Sequence, residues 1–225
     1  MAKDQSGTIP IRIKKIKLQD ENGDVSGRLQ VCGQFQMLMI TNSSTGSERV
    51  FPKGSVKKSE SLKKAAKRET MEECGIKGKI LNREPPIVVT DTSKGSIIHY
   101  YPMLVTKKKK EWDEMDKRQR IWVPLDQCLS QSDQLQFKPY IHQAILSLAR
   151  FISTIPSCTN INVQTPMNPD EWKQTKKMVE KYLLFDPTKQ QKKQQKKDKQ
   201  DQEDNSNKQS SSNESGGIIV SPTTA

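Results

Sequence analysis

Apolar and polar residues alternate from residue 28 onward. In RLQVCGQFQ, Leu29, Val31, Gly33 and Phe35 fall on one side, and Gln30, Cys32, Gln34 and Gln36 on the other. That two-residue period predicts a half-buried strand, which passes into the more buried run MLMI. TNSSTGSE reads as a turn, RVF before Pro52 as a short strand, and Pro52–Ser59 as a loop. IVVT at 87–90 and SIIHYYPMLVT at 96–106 read as strands joined by DTSKG, and RQRIWVP as a further strand after the charged loop KKKKEWDEMDK. The spacing predicts a helix over Glu60–Cys74, stopped by Gly75. A second helix is predicted over Pro139–Ile152, with Ile141, Ile145, Leu148 and Ile152 on one face. A third is expected over Pro169–Phe185, opened by Asn168 and striped by Trp172, Val179, Tyr182 and Leu183. Without a regular strand–helix alternation, this order predicts a mixed α/β sandwich rather than a doubly wound sheet.

The first helix has an unusual inner face. At about 100° per residue, Leu62, Ala65 and Ala66 share one side with Glu69, Glu72 and Glu73, while Lys63, Lys64 and Lys67 point elsewhere. Three acids turned inward repel one another and lose hydration, and acids at a helix C-terminus oppose its dipole. A divalent cation would compensate them. Hard oxygen ligands at this spacing suit Mg²⁺ or Mn²⁺. Arg68 can hold a carboxylate bidentately.

Composition sets the outer limits. Residues 189–225 are Lys, Gln, Asp, Ser and Asn with almost no apolar side chain, and are expected to be disordered. The segments expected are an N-terminal piece over 1–27, partly strand, a main folded domain over 28–152, an extension with one amphipathic helix over 153–188, and the tail. The chain carries +12, of which the tail supplies only seven lysines against five acids. A basic body suggests a polyanionic partner. No apolar run approaches a membrane span, and MAKDQSGTIP does not read as a signal peptide. Cys32, Cys74, Cys128 and Cys158 are scattered without a CxxC pair, which reads as reduced thiols in a cytoplasmic or nuclear protein.

Gly54, Glu60 and Arg68-Glu69-Thr70-Met71-Glu72-Glu73-Cys74-Gly75-Ile76 together resemble the Nudix box, GX5EX7REUXEEXGU. Every fixed position is present. Thr70 is the one departure, standing where the pattern has a bulky aliphatic, and it is expected to loosen the helix against its sheet. The resemblance implies a Nudix-type α/β/α sandwich with a mixed sheet, and metal-dependent hydrolysis of a diphosphate. It further implies Glu69 and Glu73 as metal ligands, Glu72 as general base, Arg68 as a second catalytic residue, and a main-chain carbonyl near Lys53 or Gly54 completing the metal shell.

Outside the box, FPKG resembles the segment found in diadenosine and diphosphoinositol polyphosphate phosphohydrolases, as do Arg118-Gln119-Arg120-Ile121-Trp122 and Lys138-Pro139. PKGS here replaces the usual PKGG. That resemblance, with the basic residues themselves, predicts a phosphate-binding set of Arg28, Lys53, Gly54, Lys94, Arg118 and Lys138 for a polyphosphorylated small molecule. Lys57, Lys63, Lys64 and Lys67 read as solvated charges, Lys107–Lys110 as a solvated loop, and His99 and His142 as filling rather than chemistry. The alternatives are a Nudix enzyme acting on RNA caps, disfavoured by the few aromatics, or on another nucleoside diphosphate, and a silent Nudix fold used for binding. A monomer is expected.

Overall fold

The structure is a computed structural model that describes residues 3–17, 31–82, 85–130, 137–155, 168–186 and scattered positions from 189 to 202. It forms two units, residues 1–185 and 186–225. The first holds the strands β1 (Lys3–Lys17), β2 (Val31–Thr41), β3 (Arg49–Val50), β4 (Lys53–Ser55), β5 (Ile76–Ile80), β6 (Ile87–Asp91), β7 (Ser96–Lys108) and β8 (Arg120–Pro124). Its helices are α1 (Leu62–Cys74), α2 (Leu125–Ser130), α3 (Pro139–Ser153) and α4 (Pro169–Leu183). Mixed sheet and packed helices agree with the predicted fold class. The expected boundary at residue 28 does not describe the fold, because β1 is the central strand. The sheet runs β3-β2-β1-β7-β5, with β4 on β1, β6 on β7 and β8 on β2.

β1 is parallel to β7 over Lys3–Ile11, and antiparallel to β4 over Gln5–Gly7 and to β2 over Ile11–Lys17. Buried from Ser6 to Ile11, it is covered on both faces. Pro10 lacks an N–H yet sits mid-sheet because it lies where one edge passes from β4 to β2. Pro102 in β7 stands likewise between the β6 and β5 ladders. β4 occupies part of the expected 52–59 loop, and β5 and α2 were not foreseen. β5 does alternate, with Ile76 and Ile80 buried and Lys77 and Lys79 exposed, but Gly78 at its centre leaves the inward face without a side chain to mark it.

α1 is capped by Ser61, whose hydroxyl accepts from Lys64 N, and ends at Gly75 in the left-handed conformation, φ 60°. α3 buries Tyr140, Ile141, Ala144, Ile145, Leu148, Phe151 and Ile152. α4 opens with a capping box between Asn168 and Glu171 and buries Trp172, Val179 and Leu183, the stripe expected of it apart from half-buried Tyr182. Among the described residues no helix is long and apolar enough to cross a membrane. Cys74 and Cys128 are free and buried, and Cys158 lies outside the described residues.

Thr70 does not loosen the helix. It is fully buried, donates to Ala66 O at 2.6 Å, and meets the Thr8 hydroxyl of β1 at 2.7 Å. Since Thr70 donates back along its helix, Thr8 donates to it, and β1 supplies the complement that makes a polar residue tolerable here. Thr70→Val should therefore cost about 1–3 kcal/mol by orphaning the buried Thr8 hydroxyl, and adding Thr8→Val should recover part of that loss. A denaturant double-mutant cycle measures this; strictly additive losses would contradict the pairing.

In the second unit the described positions Lys189, Gln191, Gln195, Lys197–Gln200 and Gln202 are helical and exposed. Lys and Gln are good helix formers even where nothing apolar is buried. The rest of the tail lies outside the described residues.

Candidate active site

α1 crosses β1 and β4 and turns its C-terminal half toward the β4 loop. Side-chain exposure falls along the three acids, from 35% for Glu72 to 14% for Glu69 and 8% for Glu73. Arg68 organises the first two. Its Nε and Nη2 donate to Glu60 at 3.0 and 2.9 Å, and its Nη1 donates to Glu69 Oε1 at 2.6 Å and Glu72 Oε2 at 3.0 Å. Another bond reaches Ser55 O at 3.0 Å. One guanidinium therefore ties β4, the loop acid Glu60 and two box carboxylates together, which explains why the pattern needs Glu60 and Arg68 as a pair. The contacts of Arg68 are with these carboxylates and Ser55 O, so it positions the acids of the box.

Glu73 is gripped from two sides. Its Oε2 accepts the Lys53 N–H at 2.8 Å, and its Oε1 pairs with Arg118. Burial pushes its carboxyl up to about 7, against the opposing pull of Arg118 and the Lys53 N–H. Lys53 thus meets Glu73 through its main-chain N–H, which leaves its carbonyl out of this contact.

Gly54 has a steric role. A Cβ there would lie 2.2 Å from the Glu69 carboxyl carbon and 2.3–2.4 Å from its oxygens. The carboxylate occupies the space that a side chain would fill.

Among the described residues no three His, Cys, Asp or Glu side chains already stand as a ligand cage. The donor set nonetheless fits a hard divalent cation. Glu60, Glu69, Glu72, Glu73 and Glu114 share only Arg68 and Arg118 as arginine partners. Glu69 and Glu73 rise from successive turns with Gly54 leaving room beside them.

A cleft opens beside Glu73. It is lined by Asn42, Ser43 and Ser44 of the β2–β3 turn, by Val50, Phe51 and Lys53, and by Lys94, Arg118, Lys138 and Tyr140. Four of the six residues expected to bind phosphate, Lys53, Lys94, Arg118 and Lys138, meet here with Glu73, although they come from four separate elements and turns. Burial pulls the Lys53 ammonium below its ordinary range; Lys94 and Arg118 add to the shift, and Glu73 and Asp91 oppose it. Lys53 Nζ donates to Gln5 at 2.9 Å, and Lys138 Nζ lies 3.2 Å from Glu48 at the first turn of α3. Gly54 stands beside Glu69 instead of in the lining, and Arg28 lies outside the described residues. Neither His99, 3.8 Å from Asp4, nor His142 lines the cleft. Arg118 had been expected to bind substrate alone, but here it is paired with Glu73 and with Glu114, 2.6 Å away.

A mixed sheet, a loop–helix–loop with Arg68 ordering its acids, and a cationic cleft at Glu73 define a phosphohydrolase-like site. The Nudix domain profile matches residues 28–144, and the chain belongs to the Nudix family. In Arabidopsis thaliana, Nudix hydrolase 18, mitochondrial, is 32% identical over 124 residues, which are 54% of this chain and 64% of that protein. Nudix hydrolase 4 of the same plant is 34% identical over 125 residues, covering 54% and 55% respectively. The chain thus spans 55–64% of the length of these two relatives. A crystal structure of a C. elegans Ap4A hydrolase binary complex aligns with a TM-score of 0.47 at 16% identity, over 67% of this chain and 99% of that one.

Proposed function

We propose that the protein is a Mg²⁺- or Mn²⁺-dependent hydrolase of diphosphate bonds in polyphosphorylated small molecules, of the diphosphoinositol and diadenosine polyphosphate type. The observation that carries this reading is the convergence of Lys53, Lys94, Arg118 and Lys138 on one cleft with Glu73 at its edge. Arg forks phosphate oxygens, Lys adds point charge, and the positive dipole end of α3 opens at Lys138. Such a cleft suits several phosphates at once better than a single base or sugar.

Glu69 and Glu73 would hold the cation, which when bound supplies charge neutralisation of the diphosphate and acidification of water. Glu72, the most exposed of the three acids, would take the proton from the attacking water, while Arg68 orients its carboxylate. Lys94 and Lys138 orient the remaining phosphates from the far side of the cleft. The proposed setting is a monomer in cytoplasm or nucleus.

The test is product analysis of the full chain with Mg²⁺ on diphosphoinositol pentakisphosphate, diadenosine hexaphosphate and capped RNA. The expected result is release of the β-phosphate from the inositol substrate. Lys94→Ala and Lys138→Ala should each raise its KM about tenfold, the loss of one charge-assisted contact. Turnover of capped RNA alone would overturn the substrate assignment and leave the diphosphate chemistry standing.

A further inference from the structure

α1 ends inside the site, and the last carbonyls of any helix lack partners within it. Here Gly75 N–H serves Met71 O and Thr70 O. The next four carbonyls are all met by the connection between β7 and β8 and the first residue of β8. Glu114 N–H donates to Glu72 O at 3.1 Å, Trp112 Nε1 to Glu73 O at 3.1 Å, Arg120 Nη1 to Cys74 O at 3.3 Å, and Lys109 N–H to Gly75 O at 2.9 Å. Arg120 lies 3.7 Å over the Trp112 ring and also holds Lys109 O at 2.9 Å. The last turn of α1 has no basic residue, so Arg120 brings the cation that a helix C-terminus favours. A Cβ on Gly75 would lie 2.7 Å from Trp112 Cβ, so the box glycine provides both the left-handed turn and the seat of this indole.

Two residues of this connection converge on Glu73. Trp112 fixes the main chain of Glu73, and Glu114 grips Arg118, whose guanidinium fixes its carboxylate. Water could satisfy an exposed helix end, yet here one connection holds both ends of the most buried acid of α1. We propose that this connection is a clamp that positions Glu73 for metal binding, with Trp112 and Glu114 as its positioning residues. The inference rests on the reading of Glu73 as a metal ligand.

The test measures Mn²⁺ binding to the full chain by electron paramagnetic resonance, without substrate, alongside kinetics and melting. Trp112→Phe keeps the ring beside Gly75 and Arg120 but loses the N–H; Glu114→Gln keeps the main-chain bond to Glu72 O but loses the charge on Arg118. Each should weaken Mn²⁺ binding about tenfold or more, and lower kcat with KM within about twofold. The Glu114→Gln melting temperature should stay near wild type. Mn²⁺ affinity equal to wild type in both variants, with only the melting temperature lowered, would overturn the clamp. If wild type binds Mn²⁺, Glu73→Gln does not, and both clamp variants match wild type, the clamp alone falls. If wild type binds no Mn²⁺, the metal reading falls with it.

Discussion

Glu73→Gln is expected to lower metal-dependent turnover about 10³-fold, roughly 4 kcal/mol of transition-state stabilisation, while the protein stays folded. The amide keeps the side chain's volume and can still accept the Lys53 N–H, and Arg118 retains Glu114 and Thr41 O as partners. What disappears is the charge on the most buried acid of α1. The same variant has a pH signature in the metal-free protein. The Glu73 carboxyl sits at about 7 in the folded chain, against an ordinary 4.5, because burial outweighs Arg118 and the Lys53 N–H. The folded state thus holds this proton more tightly than the unfolded one. The resulting stabilisation is fully present below pH 4.5 and is lost as pH rises through 7. Glutamine has no such dependence. The melting temperature of Glu73→Gln minus that of wild type, measured in chelator, should therefore rise between pH 4.5 and 8. A difference that is flat or falls over that range would contradict the assigned environment, and undiminished turnover would remove Glu73 from the chemistry.

The second large effect is expected from one methyl group. Gly54→Ala would place a carbon about 2 Å from the Glu69 carboxylate, which cannot yield freely because Arg68 holds it at 2.6 Å. The acid must swing away from Glu73, or β4 must shift against β1, where Ser6 faces Gly54. A displacement of about 1 Å at a reacting centre costs on the order of 10²-fold in rate. Turnover should fall by about that factor, with little change in melting temperature because Gly54 lies at the site's margin and not in the core. Steady-state kinetics beside a thermal melt distinguishes the cases. Wild-type turnover in Gly54→Ala would mean that the cradle is not required.

Some of the site could be read from local sequence because its parts lie within one helix. Glu69 and Glu73 share a face by helical period alone, and Ser61, Gly75, Pro139 and Asn168 mark helix ends through chemistry acting over one turn. Other features depend on chain segments far apart. The residues of β1 contain the alternation Ile9, Ile11, Ile13, but nothing in that pattern says that the strand lies at the sheet's centre between β2 and β7. The Thr8–Thr70 bond joins positions 62 residues apart, so Thr70 read as a defect until β1 was set beside it. The loop that read as solvated turned out to cap α1, because the carbonyls it serves are invisible in a list of side chains.

By itself the sequence determined the box, the inward acids, the helix limits and the family. Local periodicity and fixed spacing carry those. Tertiary structure alone decided that Arg118 faces Glu73 as well as the cleft, that Gly54 makes room for Glu69, and that lysines 53, 94 and 138 share one hollow. Those relations depend on distances between elements, which strand order and packing set.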